Sequence, residues 1–209
     1  MTYHINEIYL TLQGEGYWTG RAAVFARFAR CNLWTGHEQD RHRAVCRFCD
    51  TDFTDTTSYC DDAELADAIV GEWIANPDTL PPRDPMVVFT GGEPLLELDA
   101  ALTYAMHAAG FFIAAETNGT QPRPPGIDWL TVSPKADAKL ILKSGDELKL
   151  VYPQTTDPAT YLSLDFSHYY LQPMDGPELK ENTAAAIDYI KQHPQWRLSV
   201  QTHKYVDIP

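Results

Sequence analysis

Basic residues are scarce in this chain. Its 209 residues carry 16 Lys and Arg against 29 Asp and Glu, a formal net charge of −13 at pH 7. Nucleic-acid-binding surfaces are normally basic, so this balance argues against a nucleic-acid partner. A small anionic ligand held by a few local cations remains compatible with it. Long apolar runs are also missing: none approaches the roughly 18 residues of a membrane span. The N-terminus MTYHINEIYL lacks the basic-then-apolar order of a signal peptide. A cytoplasmic protein without membrane association is expected. Internal repeats and low-complexity tracts are absent. The length falls short of the roughly 250 residues of a complete eight-fold β/α barrel and suits a single domain over 1–209.

Cysteines number only four, and three of them share one stretch, CNLWTGHEQDRHRAVCRFCDTD. In the reducing cytoplasm clustered cysteines more often bind metal than form disulfides. Fourteen residues separate Cys31 from Cys46, and two separate Cys46 from Cys49. Thiolates suit zinc and iron–sulfur clusters alike. A zinc site completed by His37 or His42 is one reading. A four-iron cubane held by three thiolates is another, and it leaves one iron open to a substrate or cofactor. Residues 36–45 are polar and charged, an inserted loop in which both histidines are expected to be solvated. Cys60 is left over as an ordinary thiol.

Elsewhere short apolar strands alternate with helices or loops, the pattern of a parallel α/β sheet. Strands are expected over 5–12, 22–29, 86–89, 111–115, 129–132, 147–152, 168–171 and 197–200. Helices are expected over 61–76, with Asp61 and Glu64 near a capping box and Pro77 as the stop, over 95–109, ended by Gly110, and over 178–192. Residues 77–85 form a proline-rich connection. Several strands end in a polar or glycine-containing cluster, and in α/β barrels the working face lies at those carboxyl ends. One shared site is therefore predicted on that rim. Arg27, inside an apolar strand, is either surface-facing or a carboxylate-binding fork. In Thr90-Gly91-Gly92-Glu93-Pro94, the two glycines permit close approach of a ligand to the backbone.

An aromatic residue directly before the last cysteine, in Cys46-Arg47-Phe48-Cys49, together with Gly-Gly-Glu-Pro after an apolar strand, resembles the radical S-adenosylmethionine superfamily. Further stretches narrow the likeness to its 7-carboxy-7-deazaguanine synthase family. They are Asn6-Glu7-Ile8, Leu12-Gln13-Gly14-Glu15-Gly16, Val24 to Phe28, Cys31 to Trp34, Glu116-Thr117-Asn118-Gly119, Ser133-Pro134-Lys135 and Gln201-Thr202-His203-Lys204. One departure stands out. The common spacing would place a cysteine at 35, where this chain has Thr35, and the second cysteine arrives at 46 after an insertion within about 32–45.

The resemblance implies an incomplete parallel β/α barrel of the radical S-adenosylmethionine type. It implies conversion of 6-carboxy-5,6,7,8-tetrahydropterin to 7-carboxy-7-deazaguanine with loss of ammonia, a step toward queuosine. Cys31, Cys46 and Cys49 would hold a [4Fe–4S] cluster. S-adenosyl-L-methionine would lie among Phe48, Cys49, Asp50, Gly92, Glu93, Ser133, Pro134, Lys135, Gln172, Pro173, Met174 and Asp175. Thr51 would ligate Mg2+. Leu12, Gln13, Gly14, Glu15, Thr90, Glu116, Asn118 and His203 would meet the pterin, Arg27 its carboxylate, and Pro209 would reach it through the chain terminus. A homodimer and an electron-donor protein such as a flavodoxin are the implied partners. The alternatives are a radical activating enzyme acting on a protein partner and a non-catalytic zinc-binding module.

Overall fold

The computed structural model describes residues 1–75 and 84–209. The end of the first predicted helix at Asn76 and Pro77, and most of the proline-rich connection, lie outside them. The described strands form a nine-stranded sheet in the order β3-β1-β2-β4-β5-β6-β7-β8-β9. They are β1 (Tyr3–Leu12), β2 (Ala22–Phe28), β3 (Thr57–Tyr59), β4 (Met86–Gly91), β5 (Phe112–Thr117), β6 (Trp129–Val132), β7 (Ser144–Tyr152), β8 (Asp165–Pro173) and β9 (Trp196–Leu198). From β2 through β9 every pairing is parallel. β1 is antiparallel to both β2 and β3. The mixed α/β class with a largely parallel sheet is the one expected.

Side-chain alternation along the strands creates two faces. Val24, Ala26, Val87, Phe89, Ile113, Leu130, Leu148, Leu150 and Leu171 point to one side and form the main core. Helices α1 (Asp62–Ile74) and α2 (Ala100–Ala108) contribute Leu65, Ile69, Leu102 and Met106 to it, and α3 (Leu179–Gln192) contributes Ala186. The opposite face is apolar at the amino ends of the strands, where Ala23, Phe25, Met86, Val88 and Ala114 pack with Trp18 and Trp129. Toward the carboxyl ends it turns polar. The loop after β1 crosses this face. Gly16 N donates to Ser199 Oγ at 2.9 Å, and Thr202 N donates to Gly14 O at 2.9 Å. The two ends of the chain thereby meet, and Thr11 Oγ1 donates to the Pro209 oxygen at 3.0 Å.

Several elements differ from the expectation. β3 was not predicted; it is three residues long and pairs with the start of β1. The helix expected over 95–109 is split. Pro94–Leu96 make a 3-10 turn, and α2 begins only at Ala100, because the Asp99 carboxylate caps it by accepting from Leu102 N at 3.1 Å. The polar cluster after the last strand is a short helix, α4 (Thr202–Val206), rather than a loop. At α1 Asp61 caps the helix by accepting from Glu64 N, and Glu64 reaches back one residue past the cap to accept from Cys60 N, a variant of the expected capping box.

Candidate active site

Cys31 follows β2 directly, and the insert brings Cys46 and Cys49 back beside it. All three line a cavity of about 370 Å³ at the carboxyl ends of the strands. The closeness of the Cys46 thiol lowers Cys49 to about 6, and that of Cys49 raises Cys46. Burial raises Cys31. Trp34, Ala44 and Phe53 form a small separate apolar cluster against Cys31 and Cys49. Neither His37 nor His42 lines this cavity. Among the described residues no three His, Cys, Asp or Glu side chains converge as they would on a single ion. Thiols spread along a wall suit a body larger than one ion, and soft thiolates are the donors an iron–sulfur cluster takes. Cys60 is exposed and stands outside the cavity.

Phe48, Asp50 and Thr51 continue the same wall. The Asp50 carboxylate accepts from Gln201 at 3.1 Å and Lys204 at 2.8 Å, and Lys204 also reaches Asp175 at 2.5 Å. Burial works against ionisation of Asp50, but Lys204 and Gln201 outweigh it and hold the carboxyl below its usual range. Lys135 lies 6.0 Å from the Phe48 ring centroid and donates to Ser133 O at 2.8 Å and Ser133 Oγ at 2.7 Å. Pro173 and Met174 line the wall between Asp175 and Gln172.

The facing wall is built on strands. Lys149 of β7 is buried and ion-paired with Glu15 and with Glu116, the latter at 3.3 Å. Burial opposes the Lys149 charge, but Glu116 and Glu15 outweigh it and raise its pKa. Burial likewise pushes Glu15 up, yet Lys149 holds it below the ordinary carboxylate value. Amides complete the network: Gln13 Nε2 donates to Glu116 at 3.0 Å, Gln172 Nε2 to Glu15 at 3.0 Å, and Ser199 Oγ to Gln172 Oε1 at 3.0 Å. Thr90 Oγ1 points at Glu116 from 3.4 Å. Leu12, Gly14, Asn118, His203 and Pro209 border the same space. Gly14 packs so closely on His203 that a Cβ there would collide with the imidazole. Arg27 also lines the cavity, but Nε and Nη2 already donate to Glu7 at 2.7 Å and Tyr9 Oη at 2.9 Å.

The cavity gathers the residues expected there except Glu93 and Pro134. Glu93 does not line it. Its carboxylate is fully buried and accepts from Thr117 Oγ1 at 2.6 Å, Asn118 N at 2.7 Å and Leu95 N at 3.0 Å, so it braces the end of β5. Pro134 also stands outside, its carbonyl accepting from Gln154 Nε2 at 3.3 Å. The glycine pair is needed for packing: a Cβ on Gly91 would strike the Phe28 backbone, and one on Gly92 the Arg30 carbonyl. Lys149 and Lys204 were missed. For Lys149 the signal was present, since Glu147-Leu148-Lys149-Leu150 alternates charge with leucine, which puts both charges on one face of a strand.

Curated relatives span the whole chain. It is 55% identical to a 7-carboxy-7-deazaguanine synthase of Bordetella pertussis over 215 residues, covering 100% of both chains. It is 56% identical to one from Bradyrhizobium diazoefficiens over 214 residues, again covering 100% of both. The crystal structure of QueE from Escherichia coli matches it with a TM-score of 0.68 at 26% identity, over 97% of this chain and 95% of that one. No family model matches.

Proposed function

This chain belongs to the 7-carboxy-7-deazaguanine synthase family of radical S-adenosylmethionine enzymes, and on that premise we propose how the cavity at the strand ends divides the work of the reaction. The activity is 7-carboxy-7-deazaguanine synthesis, which provides the queuosine precursor. The observation that carries the residue assignment is that three thiols face a lysine-held pair of carboxylates across a single space.

Cys31, Cys46 and Cys49 would hold a [4Fe–4S] cluster, and Ser133, Lys135 and Asp175, which line the same cavity, would hold S-adenosyl-L-methionine. When bound, the two supply the radical that takes a hydrogen atom from the substrate. The rest is binding and orientation by the chain. Asp50 offers acceptors to the adenosyl portion, and the Phe48 ring offers it a flat apolar surface. Thr51 offers a hard hydroxyl oxygen for Mg2+.

The substrate is 6-carboxy-5,6,7,8-tetrahydropterin. Its N–H-rich pyrimidine edge suits Glu15 and Glu116, which Lys149 bridges and Gln13 and Gln172 hold in place. Arg27 turns its Nη1 side to the substrate carboxylate while Glu7 and Tyr9 fix the guanidinium. Asn118, His203 and Pro209 close the space around the ring. Ring contraction with loss of ammonia is redox-neutral overall, so the protein's task is to hold one geometry and exclude competing hydrogen donors. The working unit is one domain over 1–209 carrying an insert, in a cytoplasmic homodimer that receives its electron from a donor protein such as a flavodoxin.

Metal and sulfide analysis of protein purified without oxygen tests the reading, followed by turnover of the tetrahydropterin. About four iron and four sulfide per chain, with formation of the deazaguanine, is expected. Stoichiometric zinc without sulfide would overturn the cluster assignment and return the cysteine loop to a structural role.

A further inference from the structure

The insert between Cys31 and Cys46 folds back on the cysteine turn through one side chain. Arg41 lies in a 3-10 segment, Glu38–Arg43. Its Nη1 donates to the carbonyls of Arg47 at 2.9 Å and Cys49 at 3.0 Å. Its Nε donates to both carboxylate oxygens of Glu38, at 2.6 and 2.7 Å. Its guanidinium lies 4.0 Å from the Trp34 ring centroid. An exposed i,i+3 pair with Glu38 would by itself contribute little. Two backbone acceptors within the Cys46–Cys49 turn, an indole face and a bidentate carboxylate are together a different arrangement. They use the planar fork of an arginine, which the point charge of a lysine cannot replace.

We propose that Arg41 is a positioning residue: it clamps the backbone of the Cys46–Cys49 turn from outside, so that the insert acts as the scaffold presenting these two thiols to the cavity. The rest of the insert is consistent with this role. Val45 N donates to Leu33 O at 2.9 Å and Trp34 Nε1 to His37 O at 3.3 Å, which fold the loop onto the Trp34–Phe53 cluster. Cys31 lies outside the insert, three residues past the end of β2, and its Sγ accepts from Leu33 N at 3.4 Å. This proposal rests on reading the cysteine wall as the cluster site, although its first test does not require the cluster.

That test is amide hydrogen exchange on the cluster-free chain, comparing wild type with Arg41→Ala and Arg41→Lys. In Arg41→Ala, exchange across 44–50 should quicken roughly tenfold, the effect of losing a charged donor to the backbone. Peptides from β4 and β7 should be unchanged. Arg41→Lys should follow the alanine variant, because it keeps the charge and loses the fork. After reconstitution, both variants should give a broadened electron paramagnetic resonance spectrum of the reduced cluster and lose iron faster to a chelator. Wild-type exchange over 44–50 in both variants would overturn the proposal, as would equal acceleration throughout the sheet. If Arg41→Ala fails to fold, Glu38→Ala should show the same local quickening to a smaller degree, and wild-type exchange in it would count against the clamp. Failure of the wild type to take up iron and sulfide would overturn the cluster reading while leaving the exchange result to decide the clamp.

Discussion

On one side of the cavity Cys31, Cys46 and Cys49 sit in loops, backed by a three-residue apolar cluster, and the thiols pair with each other and with backbone. On the other side Lys149, Glu116 and Gln172 project from neighbouring parallel strands, and each charge already meets its opposite. Donors that satisfy only one another leave a wall that a bound group completes. Charges neutralised inside the fold form a wall that is fixed before anything binds, which is what a site needs to orient a substrate without reorganisation cost. The same contrast predicts where substitutions are felt: as lost chemistry at the thiols, and as lost stability at the buried charges.

The sharpest way to break this contrast is at the cysteines. Alanine at Cys31, Cys46 or Cys49 should abolish turnover, while unfolding free energy changes by no more than about 1 kcal/mol. Cys60→Ala should leave both unchanged. Near-normal turnover in Cys46→Ala would sink the ligand assignment. On the opposite wall, Lys149→Met should cost about 3 kcal/mol of stability, because it leaves two partly buried carboxylates without their buried cation. Denaturant unfolding reads this directly. Adding Glu15→Gln should recover part of the loss by removing one of the charges. A loss below about 1 kcal/mol would mean that water already screens the carboxylates, and the fixed-wall account would fail.

The two walls were not equally legible in the sequence. Cys46-Arg47-Phe48-Cys49 announces itself because ligands to one group must be close in the chain or spaced by a recognisable loop. The polar clusters at strand ends were legible for a similar reason, as abrupt changes from apolar to polar residues. Lys149 was not identified, since its meaning comes from Glu15 and Glu116, which lie 134 and 33 residues away along the chain. Glu93 shows the converse. Its motif was recognised, but its carboxylate turns inward to Thr117 and Asn118, a long-range choice that local pattern does not encode. Among the elements, α2 was drawn too long because the apolar spacing runs through Leu98, whereas the Asp99 cap restarts the helix there. β3 is too short to announce itself by alternation.

Glu147 offers a finer test of the strand wall. It lies two residues before Lys149 on the same face of β7, beneath the loop that carries Glu15, and accepts from Tyr17 N at 3.0 Å. Burial raises it to about 7 from an ordinary 4.5, with the Lys149 charge opposing. A carboxyl raised in the folded state contributes stability that is complete below its unfolded pKa and is lost as pH rises through its folded pKa. Wild type should therefore weaken relative to Glu147→Gln between about pH 4.5 and 7, by about 3 kcal/mol at pH 8. The two should be equally stable near pH 4. A pH-independent difference would show that Glu147 is ionised and satisfied like its neighbours.

The smallest expected effect falls where the two walls meet at the mouth of the cavity. Lys204, on α4, bridges Asp50 on the cysteine side to Asp175 at the end of β8, and its side chain is 38% exposed. A pair that wet contributes under about 1 kcal/mol to folding, so Lys204→Ala should leave the melting curve almost unmoved. Its value would lie in orienting Asp50. The KM for S-adenosyl-L-methionine should rise a few-fold while kcat stays near wild type, and the difference should shrink at high salt as the wild-type pair is screened. A fall in kcat with KM unchanged would place Lys204 in the reacting geometry instead, and would mean that the cysteine wall depends on the C-terminal helix for more than the aim of one carboxylate.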